Sequence, residues 1–422
     1  MNKDDISWKL IDLFFKDNPN IISKHHLDSY NRFWNEGIVN IFKNQNPIQF
    51  NKEYDNEANE FRYQCNMYLG GKDGKSIYYG KPIIFDKNNG EGKDRQHLMY
   101  PNEARLRNMS YAFTVHYDIL LEYKILIEKE DSANLKGMEK YHIHTSEEIM
   151  SKIYLGKFPI MLQSNLCILK GLDKNVRYNL GECKNDPGGY FIIDGKEKVI
   201  MTQEGRANNV LYMKDKVNDI YSHAAEIRSV SEDTSKPIRT LSVRIVADQE
   251  NKKNGHIVVN VPNVRLPVPL FILMRALGII SDKEIIETCL HDMEKWDDYI
   301  ELFRPSIYDA GNIFTQETAI KYLSSLLKIK TKENLNHILS NYFLPHMGEY
   351  NFIAKAKYIG YVVKRLLCVY TGLEKPTNRD GYGYKRIEVS GMLINELFRE
   401  YFILQTKNMY LKMEEKYKEQ VL

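Results

Sequence analysis

The stretch MSYAFTVHYDILLEY constrains the fold more than any other in the chain. Tyr111, Phe113, Val115, Tyr117, Ile119 and Leu121 alternate with Ala112, Thr114, His116, Asp118 and Leu120. A period of two sends successive side chains to opposite faces of a strand, so this segment is a long strand with one aromatic-rich face. Such a strand needs a sheet beside it. Ile48 to about Tyr79 reads as further strand. The first forty residues read as helical: in HLDSYNRFWNEGIVNIF, Leu27, Tyr30, Phe33, Trp34, Ile38, Ile41 and Phe42 recur close to a helical period. Pro101 and Asn102 open a short helical turn through Arg107, and residues 153–171 read as an extended element interrupted by Pro159.

A second constraint is DPGGYFIIDGKEKVIMTQE. Gly188–Gly189 opens it, Tyr190 to Ile193 is rich in strand formers, and Asp194–Gly195 is the dipeptide of a two-residue turn. Lys196 to Gln203 is expected to return as the second strand of a hairpin. That return is apolar at Val199, Ile200 and Met201, yet charged at Lys196 and Lys198 and polar from Thr202 to Glu204. The apolar positions are expected to hold the sheet and the polar ones to face something else.

Beyond the hairpin the pattern changes twice. SHAAEIRSV, IRTLSVRIVA and GHIVVNVP read as strands within 221–260. From Pro267 the chain turns helical: an apolar helix from Leu270 to Leu277 capped by Gly278, then a capping box at Ser281-Asp282-Lys283-Glu284, then more helix through about Cys368. EKPTNRDGYGYKR, Glu374 to Arg386, reads as a loop. One long helix, roughly Val389 to Gln420, carries Met392, Leu393, Leu397, Tyr401 and Leu404 on one side. DKNNGEGKDRQ, Asp86 to Gln96, is polar and glycine-containing, a second loop. The fold class is therefore α+β, with more than one domain in 422 residues.

Chemistry is conspicuous by what is missing from the sequence. No phosphate loop, G-x-S-x-G, H-E-x-x-H or paired-cysteine motif occurs. Cys65, Cys167, Cys183, Cys289 and Cys368 are scattered, which fits a reducing compartment and neither a disulfide framework nor a zinc site. His142 and His144 lie two apart on an expected strand without a third ligand; His25–His26 reads as a helix start; Asp233 and Asp248 belong to no acidic triad. No complete active site is expected in this chain. A net charge of +3 permits contact with nucleic acid without demanding it. The cations beside glycines and aromatics are the candidates for phosphate: Lys196, Lys198, Arg206, Arg379, Lys385 and Arg386.

These segments, in order, resemble the second-largest subunit of multisubunit DNA-directed RNA polymerases, the counterpart of the bacterial β subunit. GGYFIIDGKEKVIMTQE resembles the family's GGYFI-x-x-G-x-E-[KR]-V-x-x-x-Q segment, and HHLDSYNRFW its N-terminal helix. MYPNEARLRNMSYAFTVHYDI resembles its P-x-E-A-R-x-R motif and the strand after it, and IYLGKFPIMLQS its G-x-[IL]-P-[IV]-M motif. SHAAEIRSV, IRTLSVRI and VPLFILMRALGIISDKEI resemble the eukaryote-like second domain, and NRDGYGYKRIEVSGMLINELF the R-D-x-[FY]-G-x-K-R segment. The resemblance implies a protrusion (1–208 and 387–422) into which a lobe (209–386) is inserted.

The same resemblance implies a wall of the DNA cleft that helps hold template and RNA–DNA hybrid and docks initiation factors. It implies nucleic-acid-facing roles for Lys198, Gln203 and Arg206, with Lys196, Arg379, Lys385 and Arg386 as further candidates. Gly188, Gly189 and Gly195 would be structural turns. Gln163 stands where many relatives carry arginine, so no charge-dependent role is expected there. No cofactor is implied in this chain: Mg2+ would be held by the largest subunit, where nucleotidyl transfer takes place. The implied partners are that largest subunit, the remaining part of the second-largest subunit, initiation factors and DNA, with no membrane. Localisation would be intracellular: host cytoplasm or virion if viral, nucleus if cellular. The Asn, Ile, Lys and Tyr usage of an AT-rich genome and the short loops suggest a large DNA virus. The alternative is a free-standing adaptor or decoy that binds transcription factors.

Overall fold

A computed structural model describes residues 3–421 apart from 19, 57, 87–94, 130–136, 233–237 and 249–254. The chain forms two compact units, Met1–Gln203 with Ile387–Leu422, and Glu204–Arg386. Helices and antiparallel sheets are mixed in both, an α+β fold.

In the first unit the strand Ala112–Glu128 is central. It pairs antiparallel with Glu60–Leu69, Ile77–Tyr79 and Tyr141–Pro159, and Glu60–Leu69 pairs in turn with Ile48–Asp55. Every second residue from Tyr111 to Leu121 is buried, as the alternation requires. The cover is Lys24–Arg32, a wider π-turn at Phe33–Gly37 and Ile38–Gln45. Trp34 meets Phe113 edge-on at 4.9 Å between ring centres, and Phe42 meets Tyr117 at 5.5 Å. The long helix Ser390–Val421 closes this core through Ile394, Phe398 and Phe402. The helix Lys3–Asp17 contributes nothing to that core: Trp8, Leu10, Leu13, Phe14 and Phe15 are all exposed. Residues 87–94 of the expected polar loop lie outside the described residues; the strands Ile83–Asp86 and Arg95–Leu98 flank them and pair. Tyr141–Pro159 is one long strand, and residues 160–171 are turns rather than the extended element expected there.

The second unit is a five-stranded antiparallel sheet, Leu211–Asp215, Tyr221–Ser229, Arg239–Val246, Ile257–Asn260 and Val268–Pro269, in that order. Its helices pack into a core with Leu270–Ala276, which is buried along its whole length, and Phe352–Tyr370. The capping box expected at Ser281 is not made: the Ser281 side chain caps nothing. The Asp282 carboxylate at the first helical position meets the buried Arg275 guanidinium. Thr315, Thr331 and Asn351 are the side chains that cap helices here. The expected Glu374–Arg386 loop ends two residues early, because Lys385–Glu388 is a strand. Lys355, fully buried, donates from Nζ to the carbonyls of Leu339 (2.7 Å), Ser340 (2.8 Å) and Glu349 (3.1 Å).

Candidate nucleic-acid interface

The hairpin turns at Asp194–Gly195, with φ of 50° and 73°. Two positive φ values are what a type I′ turn demands, and Asp-Gly tolerates them. Gly195 is also packed too tightly for a side chain: a Cβ there would sit 2.7 Å from Asn108 Oδ1 and 2.8 Å from its Cα. Gly188 and Gly189, at φ 69° and 85°, likewise bring the backbone against Leu162 O and Ser23.

The return strand is shorter than the sequence suggests. Phe191–Ile193 pairs only with Lys196–Lys198. Val199 and Met201 are then 60% and 79% exposed, so they do not hold the sheet; only Ile200 packs against the core. Gln203 opens a separate strand, Gln203–Arg206, that pairs with Lys385–Glu388.

What fixes the hairpin is an arginine to which the sequence reading gave no role. Arg105 sits in the short helix Pro101–Leu106. Its Nη1 donates to both oxygens of Glu182 (2.8 and 2.9 Å), its Nε to Glu197 in the return strand (2.8 Å), and its Nη2 to the Tyr190 hydroxyl (2.8 Å). The Tyr190 hydroxyl in turn donates to Asp186 at 2.6 Å, and Asp186 accepts the Gly188 N–H at 2.9 Å. Burial opposes the charge on Arg105, and its hydrogen bonds to Glu182 and Glu197 more than offset that. Ser110 and Asp194 exchange hydrogen bonds of 2.9 and 3.0 Å, and Gly195 N–H reaches Met109 O at 3.0 Å. Gln163, buried, donates to Asp186 O and accepts from Asn20 at 3.0 Å; it is a brace under the hairpin.

The pleat then sorts the charges. Glu197 turns back to Arg105, while its neighbours Lys196 and Lys198 are exposed and have no carboxylate partner among the described residues. Gln203 is also exposed in this unit. Arg206, Arg379, Lys385 and Arg386 belong to the second unit. Arg206 and Arg379 are exposed and unpaired among the described residues, but Lys385 is bound to Glu204 and lies 3.9 Å from Asp380. The hydrogen bond to Glu204 raises the Lys385 ammonium above its ordinary range. Arg386 caps the carbonyls of Gly383 (3.2 Å) and Lys385 (2.8 Å).

The histidines hold no metal geometry. His142 and His144 are exposed on the strand Tyr141–Pro159, and His25 and His26 begin a helix, with His26 Nδ1 3.2 Å from Ser390 Oγ. Among the described residues, no three His, Cys, Asp or Glu side chains gather as a metal site. Asp233 lies outside the described residues. No helix among the described residues is long and apolar enough to cross a membrane.

A family model described as RNA polymerase beta subunit matches residues 21–421. The chain belongs to the RNA polymerase beta-subunit family. It is related to the N-terminal region of second-largest RNA polymerase subunits. It is 34% identical over 405 residues to the DNA-directed RNA polymerase II subunit RPB2 of Encephalitozoon cuniculi, covering 94% of this chain and 32% of that one. It is 31% identical over 419 residues to the DNA-directed RNA polymerase subunit Rpo2 of Saccharolobus shibatae, covering 97% and 32%. Against the subunit Rpo2N of Methanococcus vannielii it is 27% identical over 416 residues, covering 96% and 73%. The chain thus spans about a third of the RPB2 and Rpo2 relatives. These relatives are cellular, so they lend no support to the viral origin that the composition suggests.

Proposed function

We propose that this chain is a cleft-forming part of the second-largest subunit of a DNA-directed RNA polymerase. The reading is carried by one observation: in a chain of this family, a hairpin braced through Arg105 presents Lys196 and Lys198 to solvent without carboxylate partners among the described residues. Uncompensated ammonium groups attract phosphates and read no base, which suits an enzyme that must copy any sequence. Lys198 and Lys196 are the leading phosphate contacts, and Gln203, Arg206 and Arg379 are further candidates. Lys385 ranks last, because a phosphate there must displace Glu204. The wall helps hold template and RNA–DNA hybrid and offers a docking surface to initiation factors. Nucleotidyl transfer belongs to the assembled enzyme, with Mg2+ in the largest subunit, and transcription is intracellular.

The test is purification of the tagged chain from its own cell, followed by elongation-complex lifetimes across salt. The largest subunit is expected to co-purify. Lys196→Ala with Lys198→Ala should shorten the lifetime as salt rises, and Lys385→Ala should leave it unchanged. Recovery of initiation factors without a largest subunit would overturn the polymerase reading; unchanged lifetimes in the double variant would overturn the phosphate role.

A further inference from the structure

On the outer face of the first unit's sheet, away from the helical cover, a groove of about 570 Å³ opens beside the hairpin turn. The register shows how it is built. Ala112 pairs with Pro159 and Thr114 with Lys157, and they alternate along the strand with Phe113 and Val115, which are buried on the other face. The two pairs make the floor. The paired strands Ile83–Asp86 and Arg95–Leu98 bring Phe85, 67% exposed, and the following Met99. Met109 and Ile193 complete the lining, and Ser110 fastens that end to Asp194. Every lining residue belongs to the first unit. Lys81 and Lys157 stand at this groove, both exposed and without a carboxylate partner among the described residues. Thr114 lies between them: Lys157 is its cross-strand neighbour on one side, and on the other Gly80, just before Lys81, donates its N–H to Thr114 O at 2.7 Å. Two strand spacings, about 10 Å, therefore separate the two backbones.

We propose that this groove docks an acidic peptide segment of a partner protein, with one bulky apolar side chain in the groove and flanking carboxylates on Lys81 and Lys157. The lining selects that chemistry. It is mostly aliphatic and thioether, and methionines such as Met99 and Met109 repack around different apolar shapes. Its volume is that of a site for a ligand or a large side chain. Two uncompensated ammonium groups at such a floor favour anions next to the apolar group and repel a basic segment. Nucleic acid satisfies only half of this: phosphates suit the lysines, but bases need aromatic platforms, and Phe85 is the one aromatic ring lining the groove among the described residues. A free inorganic anion would leave the apolar floor uncovered. The proposal rests on the groove and not on the polymerase reading, so the two stand or fall separately.

The experiment is fluorescence anisotropy on the purified 422-residue chain, with a labelled peptide that carries one phenylalanine between two pairs of aspartates, DDFDD in one-letter code. Saturable binding is expected. Lys81→Gln with Lys157→Gln should weaken it about tenfold, each exposed ion pair contributing a few-fold. Phe85→Ser should weaken it about fivefold, and the peptide DDSDD, stripped of its apolar side chain, should bind about tenfold less tightly. Lys81, Phe85 and Lys157 are exposed, so these variants should keep the parent's thermal unfolding. With p-benzoylphenylalanine in place of its phenylalanine, the peptide should crosslink to Met99 or Met109. Equal affinity for DDFDD and DDSDD, tighter binding of a single-stranded oligothymidylate at this groove, or unchanged binding by the double-lysine variant would overturn the proposal. So would crosslinks confined to other parts of the chain, or no saturable binding.

Discussion

Arg105→Gln should be among the most destabilising single changes in the first unit, and the structure says by roughly how much. Glu182 is the reason. Its side chain is only 4% exposed, and both oxygens receive Arg105 Nη1. Removing the guanidinium leaves a buried carboxylate unpaired, which costs about 3–5 kcal/mol where both partners are fully buried. Arg105 is 19% exposed, so the lower end applies. The contact with Glu197, itself 55% exposed, adds no more than about 1 kcal/mol. The expected loss is therefore about 3–4 kcal/mol. Arg105→Lys keeps the charge but cannot reach three acceptors at once, and should lose about half as much. The assay is urea unfolding followed by Trp34 fluorescence in a Trp8→Phe, Trp296→Phe background, so that the one remaining tryptophan lies in the first unit's core. Glu182→Gln removes the orphaned charge, so the double variant should be less destabilised than the sum of the two single ones by about 2 kcal/mol. Additive losses, or an Arg105→Gln cost below about 1 kcal/mol, would refute the network's role.

Three further outcomes follow from the same structure. Gly195→Ala must force a Cβ into Asn108 and hold a left-handed φ, so it should destabilise by about 1–3 kcal/mol and shift the hairpin amides in NMR spectra; a neutral effect would mean the turn is not fixed as described. Lys355→Met keeps the volume but strips three carbonyls of their donor, for a loss of about 2–4 kcal/mol in the second unit; a variant as stable as the parent would show that burying the ammonium costs as much as its bonds return. Burial, and then the nearby Lys355, hold His346 below its ordinary value while Ser229 Oγ lies 2.8 Å from its Nδ1. The unfolded chain therefore takes up that proton first, and stability present above about pH 6.5 is lost as pH falls below it; urea midpoints at pH 7.5 and 5.5 should separate, and His346→Gln should narrow the gap.

The sequence discloses elements whose cause is local. Strict alternation from Tyr111 to Leu121 appears as strict alternation of burial, and Asp194–Gly195 appears as a turn with two positive φ values. What escapes it is decided by distant partners. Val199 and Met201 are good strand formers, yet the pairing stops at Lys198, because the next stretch of chain finds its partner at Lys385–Glu388. Ser281 and Glu284 stand at capping-box spacing, yet the Ser281 side chain caps nothing, while the neighbouring Asp282 is held by Arg275. Arg105 was visible as part of a motif, but its role depends on Glu182, Tyr190 and Glu197, some eighty to ninety residues on, and spacing along the chain carries no trace of that. A helix with apolar residues on both sides, such as Ser390–Val421, is likewise readable as a helix and unreadable as to which side it buries: Leu397, Tyr401 and Leu404 form the more obvious row, and the packed row is the other one.

The Arg105 network ties stability to the proposed phosphate contact through one carboxylate. Glu197 lies between Lys196 and Lys198 in the chain, and left free it would offset most of their charge toward a phosphate a few ångströms away. Two things prevent this. The pleat sends Glu197 to the opposite face, and Arg105 Nε holds it there at 2.8 Å. The guanidinium that neutralises the buried Glu182 thus also removes an anion from the face that presents the two lysines. Lys385 shows the converse arrangement, since nothing withdraws Glu204, and its ammonium is already bound. A count of basic residues would rank Lys385 and Lys198 alike; the positions of their nearest carboxylates separate them. That is why the charge the hairpin offers to an anion is better read from where Glu197 goes than from how many lysines the strand contains.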